Sequence, residues 1–254
     1  MTAKAGKLRL DRLLVERGLA ESRTRAEALI LAGRVTVSGR ESVKPGTPVA
    51  HDAEVSVAEL EHPWVSRGGV KLAAALDRFG IDPSGCVCLD IGASTGGFTD
   101  VLLSRGAATV YAVDVGYGQL HARLRTDPRV VLMEKTNARH LSLSEVPERI
   151  ELLVADVSFI SLTLILPAAV PLLAAGGQAL LLVKPQFEAE RGEVGKGGIV
   201  RDAAVRERTT ARVVRAAKSL GLLALGTFPS PIRGADGNEE LFAAFRTAPI
   251  PESR

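Results

Sequence analysis

Short apolar runs separated by helix-like segments dominate the chain from residue 87 onward. The runs are Val87–Ile91, Val110–Val113, Val130–Met133, Leu152–Ala155 and Ala179–Val183. Helical segments between most of them indicate a parallel sheet covered on both faces, which is typical of a doubly wound α/β domain. Two further strands are predicted near Leu222–Phe228 and Leu241–Phe245, after a helix over Asp202–Leu220. The pattern therefore predicts a seven-stranded sheet.

The first 60 residues show another pattern and are predicted to form a small α+β domain. Leucines repeat at helical spacing over residues 10–19, and a second helix is predicted to begin near Ser22 and to stop at Gly33. Residues 34–37 alternate as a strand, and short strands follow around Pro45. Residues 61–66 are predicted as a linker because Pro63 breaks the strand pattern, which leaves residues 67–254 as the second domain.

Residues 157–183 contain 27 consecutive uncharged positions, long enough for a membrane-spanning helix. Two prolines, Pro167 and Pro171, and the pair Gly176-Gly177 divide this stretch. We therefore interpret it as a buried helix, a turn and a buried strand. The N-terminus lacks the apolar core of a signal peptide. A cytoplasmic protein without a membrane partner is expected.

Composition excludes several classes of protein. With 46% hydrophobic and 24% charged residues over 254 positions, the chain has the composition of a folded globular protein. Cys86 and Cys88 are separated by one residue, which excludes a disulfide framework and a four-cysteine zinc site, and the histidines show no ligand spacing, so no metal is predicted. The net charge of +3 is small. However, residues 1–45 carry 10 basic against 5 acidic side chains, which makes this region the expected contact for a polyanion.

The order helix, helix and then GRVTVSG, with arginines at the start of the second helix, resembles the S4-type RNA-binding module of ribosomal protein S4 and several RNA-modifying enzymes. The resemblance covers about 50 residues. It implies that RNA phosphates are contacted by Arg9, Arg23, Arg25 and Arg34. On charge alone, these residues could equally form a solvated helix face.

A glycine turn follows the first strand of the predicted sheet, at the edge where such folds bind ligands. Its spacing is G-x-x-x-G-G, unlike the G-x-G-x-x-G of dinucleotide binders. Asp114 ends the second strand, where a carboxylate can accept hydrogen bonds from both ribose hydroxyls. These features resemble the S-adenosylmethionine site of class I methyltransferases, which implies cofactor contacts from Asp90, Gly92, Ala93, Ser94, Gly96, Gly97, Phe98 and Asp114. Asn137, just after the third strand, could bind the adenine amine or simply cap a loop.

Polar residues at two other strand ends point to the reaction. Asp156 ends the fourth strand and Lys184 ends the fifth, and the pair could be catalytic or a plain salt bridge. N-methylation of bases is disfavoured because the tetrapeptide at Asp156 reads DVSF rather than Asn/Asp-Pro-Pro-aromatic. Methylation of cytosine C5 is disfavoured because it would need a Pro-Cys nucleophile, whereas both cysteines lie at the start of the first strand.

Five motifs in order resemble the TlyA-type ribosomal RNA 2′-O-methyltransferases, also called hemolysin A, over nearly the whole chain. They are SRGGVKL from Ser66, DIGASTGGFT from Asp90, DVSFIS from Asp156, KPQFE from Lys184 and GNEE from Gly237. The catalytic domain of that family is similar to the FtsJ fold, a Rossmann-like methyltransferase. Its Lys-Asp-Lys-Glu tetrad maps onto Lys71, Asp156, Lys184 and Glu240. Arg67, in the first motif, joins the predicted RNA contacts.

The resemblance implies transfer of a methyl group from S-adenosylmethionine to a cytidine 2′-hydroxyl in ribosomal RNA, 23S and possibly 16S, as free RNA or in ribosomal subunits. A 2′-hydroxyl needs a base and orientation. A free lysine, with a pKa of about 10.4, is charged at neutral pH, but burial and a second ammonium both favour the neutral form. We favour Lys184 as the base and Lys71 as the group that orients the ribose or its phosphate, although the roles could be exchanged. Asp156 and Glu240 would fix the positions of the two lysines. The rivals are a membrane-active hemolysin and an RNA-binding protein with an inactive methyltransferase fold.

Overall fold

The computed structural model describes residues 6–31, 34–41, 44–57, 62–234 and 237–249. The chain divides into two compact units, Met1–Glu61 and His62–Arg254. The segment predicted as a linker spans this division. Its later part packs within the second unit, because Val65 is buried and its N–H donates to Asp100 Oδ2 at 2.8 Å.

Among the described residues of the first unit are two short helices and five short strands. These are β1 (Lys7–Arg9), α1 (Leu10–Glu16), α2 (Arg23–Leu31), β2 (Val35–Val37), β3 (Arg40–Glu41), β4 (Pro48–Ala50) and β5 (Val55–Val57). Strand β1 pairs with β4, and β2 lies between β3 and β5, all antiparallel. Ser22 precedes α2, as predicted, and its Oγ accepts from the N–H of Arg25 at 3.2 Å. The predicted stop at Gly33 lies outside the described residues.

The second unit contains the predicted seven-stranded sheet. The strands are β6 (Val87–Ile91), β7 (Thr109–Val113), β8 (Val130–Met133), β9 (Ile150–Ala155), β10 (Leu173–Val183), β11 (Leu223–Pro229) and β12 (Leu241–Arg246). The helices are α3 (Gly68–Phe79), α4 (Gly97–Ser104), α5 (Ala122–Arg125), α6 (Leu166–Ala169), α7 (Pro185–Glu188) and α8 (Ala203–Ser219). The strand order is β11-β12-β10-β9-β6-β7-β8. The five strands β6 to β10 pair with one another in parallel, whereas β12 is antiparallel to both of its neighbours, β10 and β11.

Burial on both faces explains why the strands are continuous apolar runs. Leu89 and Ile91 of β6 belong to one hydrophobic cluster, and Cys88 of the same strand belongs to the other. Because successive side chains point to opposite faces, a strand covered on both sides favours apolar residues at most of its positions. Polar side chains at the strand ends are therefore the candidates for chemistry.

The long uncharged stretch is part of this sheet domain. Residues 162–172 form three short helical segments, and the chain then enters β10 at Leu173. The predicted turn at Gly176-Gly177 is an irregularity inside β10, where the register to β9 shifts between Leu173 and Gln178 and Gly176 has a φ of 76°. None of the helices in the described ranges combines the length and apolarity needed to cross a bilayer.

Strand direction brings three candidate residues to one edge of the sheet. Asp156 and Lys184 directly follow the parallel strands β9 and β10. Glu240 directly precedes β12, which runs antiparallel and pairs Leu241 with Val183. The end of β10 and the start of β12 therefore meet at the edge where β9 ends.

Candidate active site

The turn after β6 requires glycine at two positions. Gly92 and Gly96 have φ values of 85° and 97°, in the left-handed region that glycine favours. A Cβ at Gly92 would overlap the backbone oxygen of Asp156, and one at Gly96 would overlap the side chain of Leu124. The turn is thus held close to the end of β9.

A cavity of about 460 Å³ lies at this edge of the sheet. Among the predicted site residues, its lining includes Gly92, Ser94, Asp114, Asn137 and Asp156. The predicted cofactor contacts that are not part of the lining are Asp90, Ala93, Gly96, Gly97 and Phe98. Phe98 instead stacks on Phe242 in the core, with ring centroids 6.0 Å apart. Within the motif that begins at Asp90, the residues that line the cavity are therefore Ile91, Gly92 and Ser94, together with polar residues at the ends of other strands.

Backbone groups fix the carboxylate of Asp114. Its Oδ2 accepts from the N–H of Ser94 at 2.8 Å, and its Oδ1 accepts from the N–H of Gly116 at 2.7 Å. A carboxylate offers about four acceptor positions, so both oxygens can still accept from a ligand. Asn137 Oδ1 accepts from the N–H of Arg139 at 3.1 Å, which is the loop cap that the sequence left as one of two interpretations.

The sequence did not single out Phe159, although it lines the cavity. Its side chain is 91% exposed, and its φ of 65° is unusual for an aromatic residue. The ring lies 5.0 Å from the ring of Phe187, centroid to centroid. The two rings, inclined at 51° to each other, offer an apolar aromatic surface beside the cavity. Phe159 belongs to the DVSFIS motif, but neither its left-handed backbone conformation nor its exposure can be predicted from the sequence.

Asp90, the last but one residue of β6, has a fully buried carboxyl group. Thr99 Oγ1 donates to its Oδ2 at 2.6 Å. Burial raises the pKa of Asp90 to about 7, and the nearby carboxylates of Asp156 and Asp114 add to the shift. The folded state therefore resists ionisation of this group near neutral pH.

We expect Asp90→Asn to stabilise the fold at pH 8 but not at pH 4. The unfolded chain ionises Asp90 near pH 4 and the folded chain only near pH 7, so wild-type stability falls as pH rises between these values. Asparagine carries no charge and keeps an acceptor for Thr99, so a gain of roughly 1–3 kcal/mol is expected at pH 8. Urea unfolding at both pH values measures it. The same difference at pH 4 and pH 8 would show that charge burial is not its cause.

The four tetrad positions form two ion pairs. Lys71 Nζ, on α3, lies 2.5 Å from Glu240 Oε2, and both residues are buried. Lys184 Nζ lies 2.6 Å from Asp156 Oδ1 and donates to Ser158 Oγ at 3.0 Å. Each lysine thus has a carboxylate partner.

This arrangement places charged groups at the wall of a concave site. Asp156 belongs to the cavity lining and, through the ion pair, brings the ammonium group of Lys184 to the same edge. A hydroxyl placed beside this pair could donate to the carboxylate, or give up its proton to the lysine once that lysine is neutral. Within the described ranges, no group of three or more His, Cys, Asp or Glu side chains could hold a metal ion.

A buried carboxylate organises two of the predicted RNA-binding arginines in the first unit. Asp11 is fully buried, and its Oδ2 accepts from Arg9 Nη2 at 2.7 Å and from Arg23 Nε at 3.0 Å. The hydrogen bond from Arg9 has the largest effect on the pKa of Asp11 and, together with that from Arg23, holds this pKa well below its usual range. Both arginine side chains remain about half exposed, at 45% and 51%. Sequence reasoning missed Asp11 because its partners come together only in the fold.

The other three predicted RNA contacts are not part of this cluster. Arg25 lies in the first turn of α2, and Arg34 directly precedes β2. Arg67 is exposed at the start of α3, in the second unit.

Two family models match the chain. The FtsJ-like methyltransferase model matches residues 64–247, and the S4 domain model matches residues 8–55. These ranges fall within the second and first compact units, respectively.

The chain also resembles named proteins along nearly its whole length. A 16S/23S rRNA (cytidine-2′-O)-methyltransferase of Mycobacterium tuberculosis is 50% identical over 96% of this chain and 91% of its own. Hemolysin A of Brachyspira hyodysenteriae is 43% identical over 94% and 99%. A solved structure from Streptococcus thermophilus, provisionally named a hemolysin, is 42% identical over 97% and 90%, with a TM-score of 0.75.

Proposed function

This chain belongs to the FtsJ-like methyltransferase family and to its TlyA-type members, and from that premise we propose that it methylates a cytidine 2′-hydroxyl in ribosomal RNA with S-adenosylmethionine as donor. The observation that carries the proposal is the Asp156–Lys184 ion pair beside a cavity at the carboxyl edge of the sheet. Ligands bind at this edge in open α/β sheets.

Several features of the cavity support S-adenosylmethionine as its ligand. A volume of about 460 Å³ is within the usual range for small-molecule sites. Asp114 would accept hydrogen bonds from the ribose hydroxyls, and the turn at Gly92 and Ser94 would bring the backbone close to the ligand. Asn137 would bind the amine of the adenine ring. When bound, S-adenosylmethionine supplies a methyl group already activated as a sulfonium.

The two ion pairs would have different roles in methyl transfer. A 2′-hydroxyl is a weak nucleophile at neutral pH, so its proton must be accepted and its oxygen oriented. We assign proton acceptance to Nζ of Lys184, which Asp156 and Ser158 hold in place. Lys71, fixed by Glu240, would orient the ribose or its phosphate.

Ribosomal RNA is the proposed partner, as free RNA or in a ribosomal subunit. The S4-type unit would bind phosphates through Arg9, Arg23, Arg25 and Arg34, and Arg67 would add a contact in the second unit. We propose 23S RNA as a substrate and 16S RNA as a second one, because the M. tuberculosis relative carries both in its name. Such a protein would act in the cytoplasm.

Mapping of 2′-O-methyl groups tests this function directly. Ribosomal RNA from cells with and without the protein should differ at one or a few cytidines, and the purified protein with S-adenosylmethionine should restore those groups. Identical maps would overturn the proposal. A cofactor titration separates an active enzyme from an RNA-binding protein with an inactive fold. Membrane lysis is not proposed, because the uncharged stretch forms short helical segments and β10 of the sheet.

We expect Asp114→Ala to weaken S-adenosylmethionine binding while RNA affinity stays unchanged. The variant removes a carboxylate that would accept charge-assisted hydrogen bonds, worth about 1.5–3 kcal/mol or roughly 10- to 150-fold in affinity. Calorimetric titration with the cofactor and a filter-binding assay with RNA measure the two affinities. Asp127→Ala is the matched control, because Asp127 pairs with Arg129 rather than facing the cavity. Equal losses of cofactor and RNA affinity would contradict the assignment of Asp114.

A further inference from the structure

Glu188 connects the two segments that follow Asp156 and Lys184. It is the last residue of α7, which begins directly after Lys184, and it is only 2% exposed. Its Oε2 accepts from Ser161 Oγ at 2.6 Å, and its Oε1 accepts from the N–H of Leu162 at 2.7 Å. Both donors lie in the segment after Asp156. The carboxylate therefore joins α7 to one segment, whose two donors lie 27 and 26 residues earlier in the sequence.

A third element compensates the charge of this carboxylate. Arg212, on α8, donates through Nη2 to Glu188 Oε2 at 3.0 Å and also to the backbone oxygen of Glu188. The carboxylate of Glu188 is buried whereas Arg212 remains 45% exposed, so the pair adds little net stability, because desolvation of the carboxylate offsets the attraction. The four hydrogen bonds that Glu188 accepts from Ser161, Leu162 and Arg212 do, however, fix one arrangement of the segments. This points to a role in geometry.

Two further contacts join the same segments. Lys184 Nζ donates to Ser158 Oγ at 3.0 Å, and the rings of Phe159 and Phe187 lie 5.0 Å apart. In each contact, one partner lies in the segment after Asp156 and the other lies at Lys184 or in α7. The separation of Asp156 and Lys184 thus depends on how the segment after β9 sits against α7.

We propose that Glu188 is a positioning residue for the proposed methyl transfer. By holding Ser161 and Leu162 against α7, it fixes the place of Lys184 relative to Asp156 and the cavity. It does not contact the reacting atoms. The inference rests on the proposed function, because it requires that the Asp156–Lys184 pair perform chemistry. A misplacement of about 1 Å in such a pair can cost about 100-fold in rate.

The test compares Glu188→Gln with wild type in the full-length protein. Glutamine keeps an acceptor for the N–H of Leu162, but its amide group cannot accept from both Ser161 and Arg212. We expect kcat to fall about 10- to 100-fold with KM for RNA and the Kd for S-adenosylmethionine unchanged. The pH dependence of kcat should also shift, because the environment of Lys184 changes.

A matched control comes from the neighbouring turn. Glu193 pairs with Arg208 near the surface and has no described contact with residues 158–162. Glu193→Gln should leave kcat and its pH dependence unchanged. If Glu188→Gln also leaves both unchanged, the proposal is overturned, whatever happens to the melting temperature. If wild type itself does not methylate ribosomal RNA, the proposed function fails instead, so the two failures are distinguishable.

A second variant keeps the proposal testable if Glu188→Gln does not fold. Ser161→Ala removes a single hydroxyl that donates to Glu188, and it should lower kcat about 3- to 10-fold without affecting cofactor binding. Where both variants fold, the double variant should lose less activity than the product of the single losses, because both act through one contact. Wild-type kcat in Ser161→Ala, or independent effects in the double variant, would contradict the role of Glu188.

Discussion

Replacing Lys184 with arginine is expected to abolish methyl transfer while S-adenosylmethionine and RNA still bind. Arginine can keep the ion pair with Asp156, but a guanidinium retains its proton at any working pH and cannot accept one from the ribose. Loss of the base should lower kcat about 10²- to 10⁴-fold. Single-turnover transfer of labelled methyl groups to ribosomal RNA measures the rate, and separate titrations measure binding.

Arginine tests Lys184 more sharply than alanine does. Lys184→Ala should be equally inactive, but it leaves Asp156 without its partner, so its loss could reflect a disturbed site. Lys196→Arg is the matched control, because Lys196 is an exposed lysine and should tolerate the change. A fully active Lys184→Arg enzyme would show that this position supplies only charge. The base would then have to be Lys71, Asp156 or a water molecule.

The sheet could be predicted because its strands are buried on both faces. The apolar runs Val87–Ile91 and Val130–Met133 coincide with β6 and β8. The prediction was less accurate where another part of the chain decides the structure. Strand β1 is three residues long and exists through its pairing with β4, some forty residues later, and β10 begins at Leu173 because it pairs there with β9. Local patterns carry no signal of such pairing.

In the candidate site, too, local features could be predicted from the sequence, whereas contacts between distant residues could not. Asp156 and Lys184 could be identified because a charged residue at the end of a buried run is conspicuous. Their pairing was also one of the two interpretations that the sequence offered. The contact between Lys71 and Glu240 could not be predicted from local patterns, since the two residues are 169 positions apart in sequence yet form an ion pair. Asp11 and Glu188 went unnoticed for a related reason, because each looks like an ordinary surface carboxylate until its partners in the fold are known.

Removing residues 1–60 is expected to leave a folded chain that binds S-adenosylmethionine but no longer methylates ribosomal RNA. The buried clusters of the second unit contain no residue before Val65, and that of the first unit contains none beyond Val57, so each unit has its own core. The deletion removes four of the five predicted phosphate contacts. The slope of log affinity against log salt concentration should therefore become shallower by about 3 to 4. Circular dichroism, cofactor titration and RNA binding at several salt concentrations test these expectations.

Substitutions in the full-length chain show whether the lost affinity comes from phosphate contacts. Arg25→Gln removes one charge and should reduce the salt slope by about 0.9, whereas Arg25→Lys keeps the charge and should leave the slope unchanged. Arg25 suits this test better than Arg9 or Arg23, because those two also neutralise the buried carboxylate of Asp11, and their loss would destabilise the unit. An unchanged slope in Arg25→Gln would remove Arg25 from the interface. A truncated chain that methylates ribosomal RNA at the wild-type rate would assign recognition to the second unit alone.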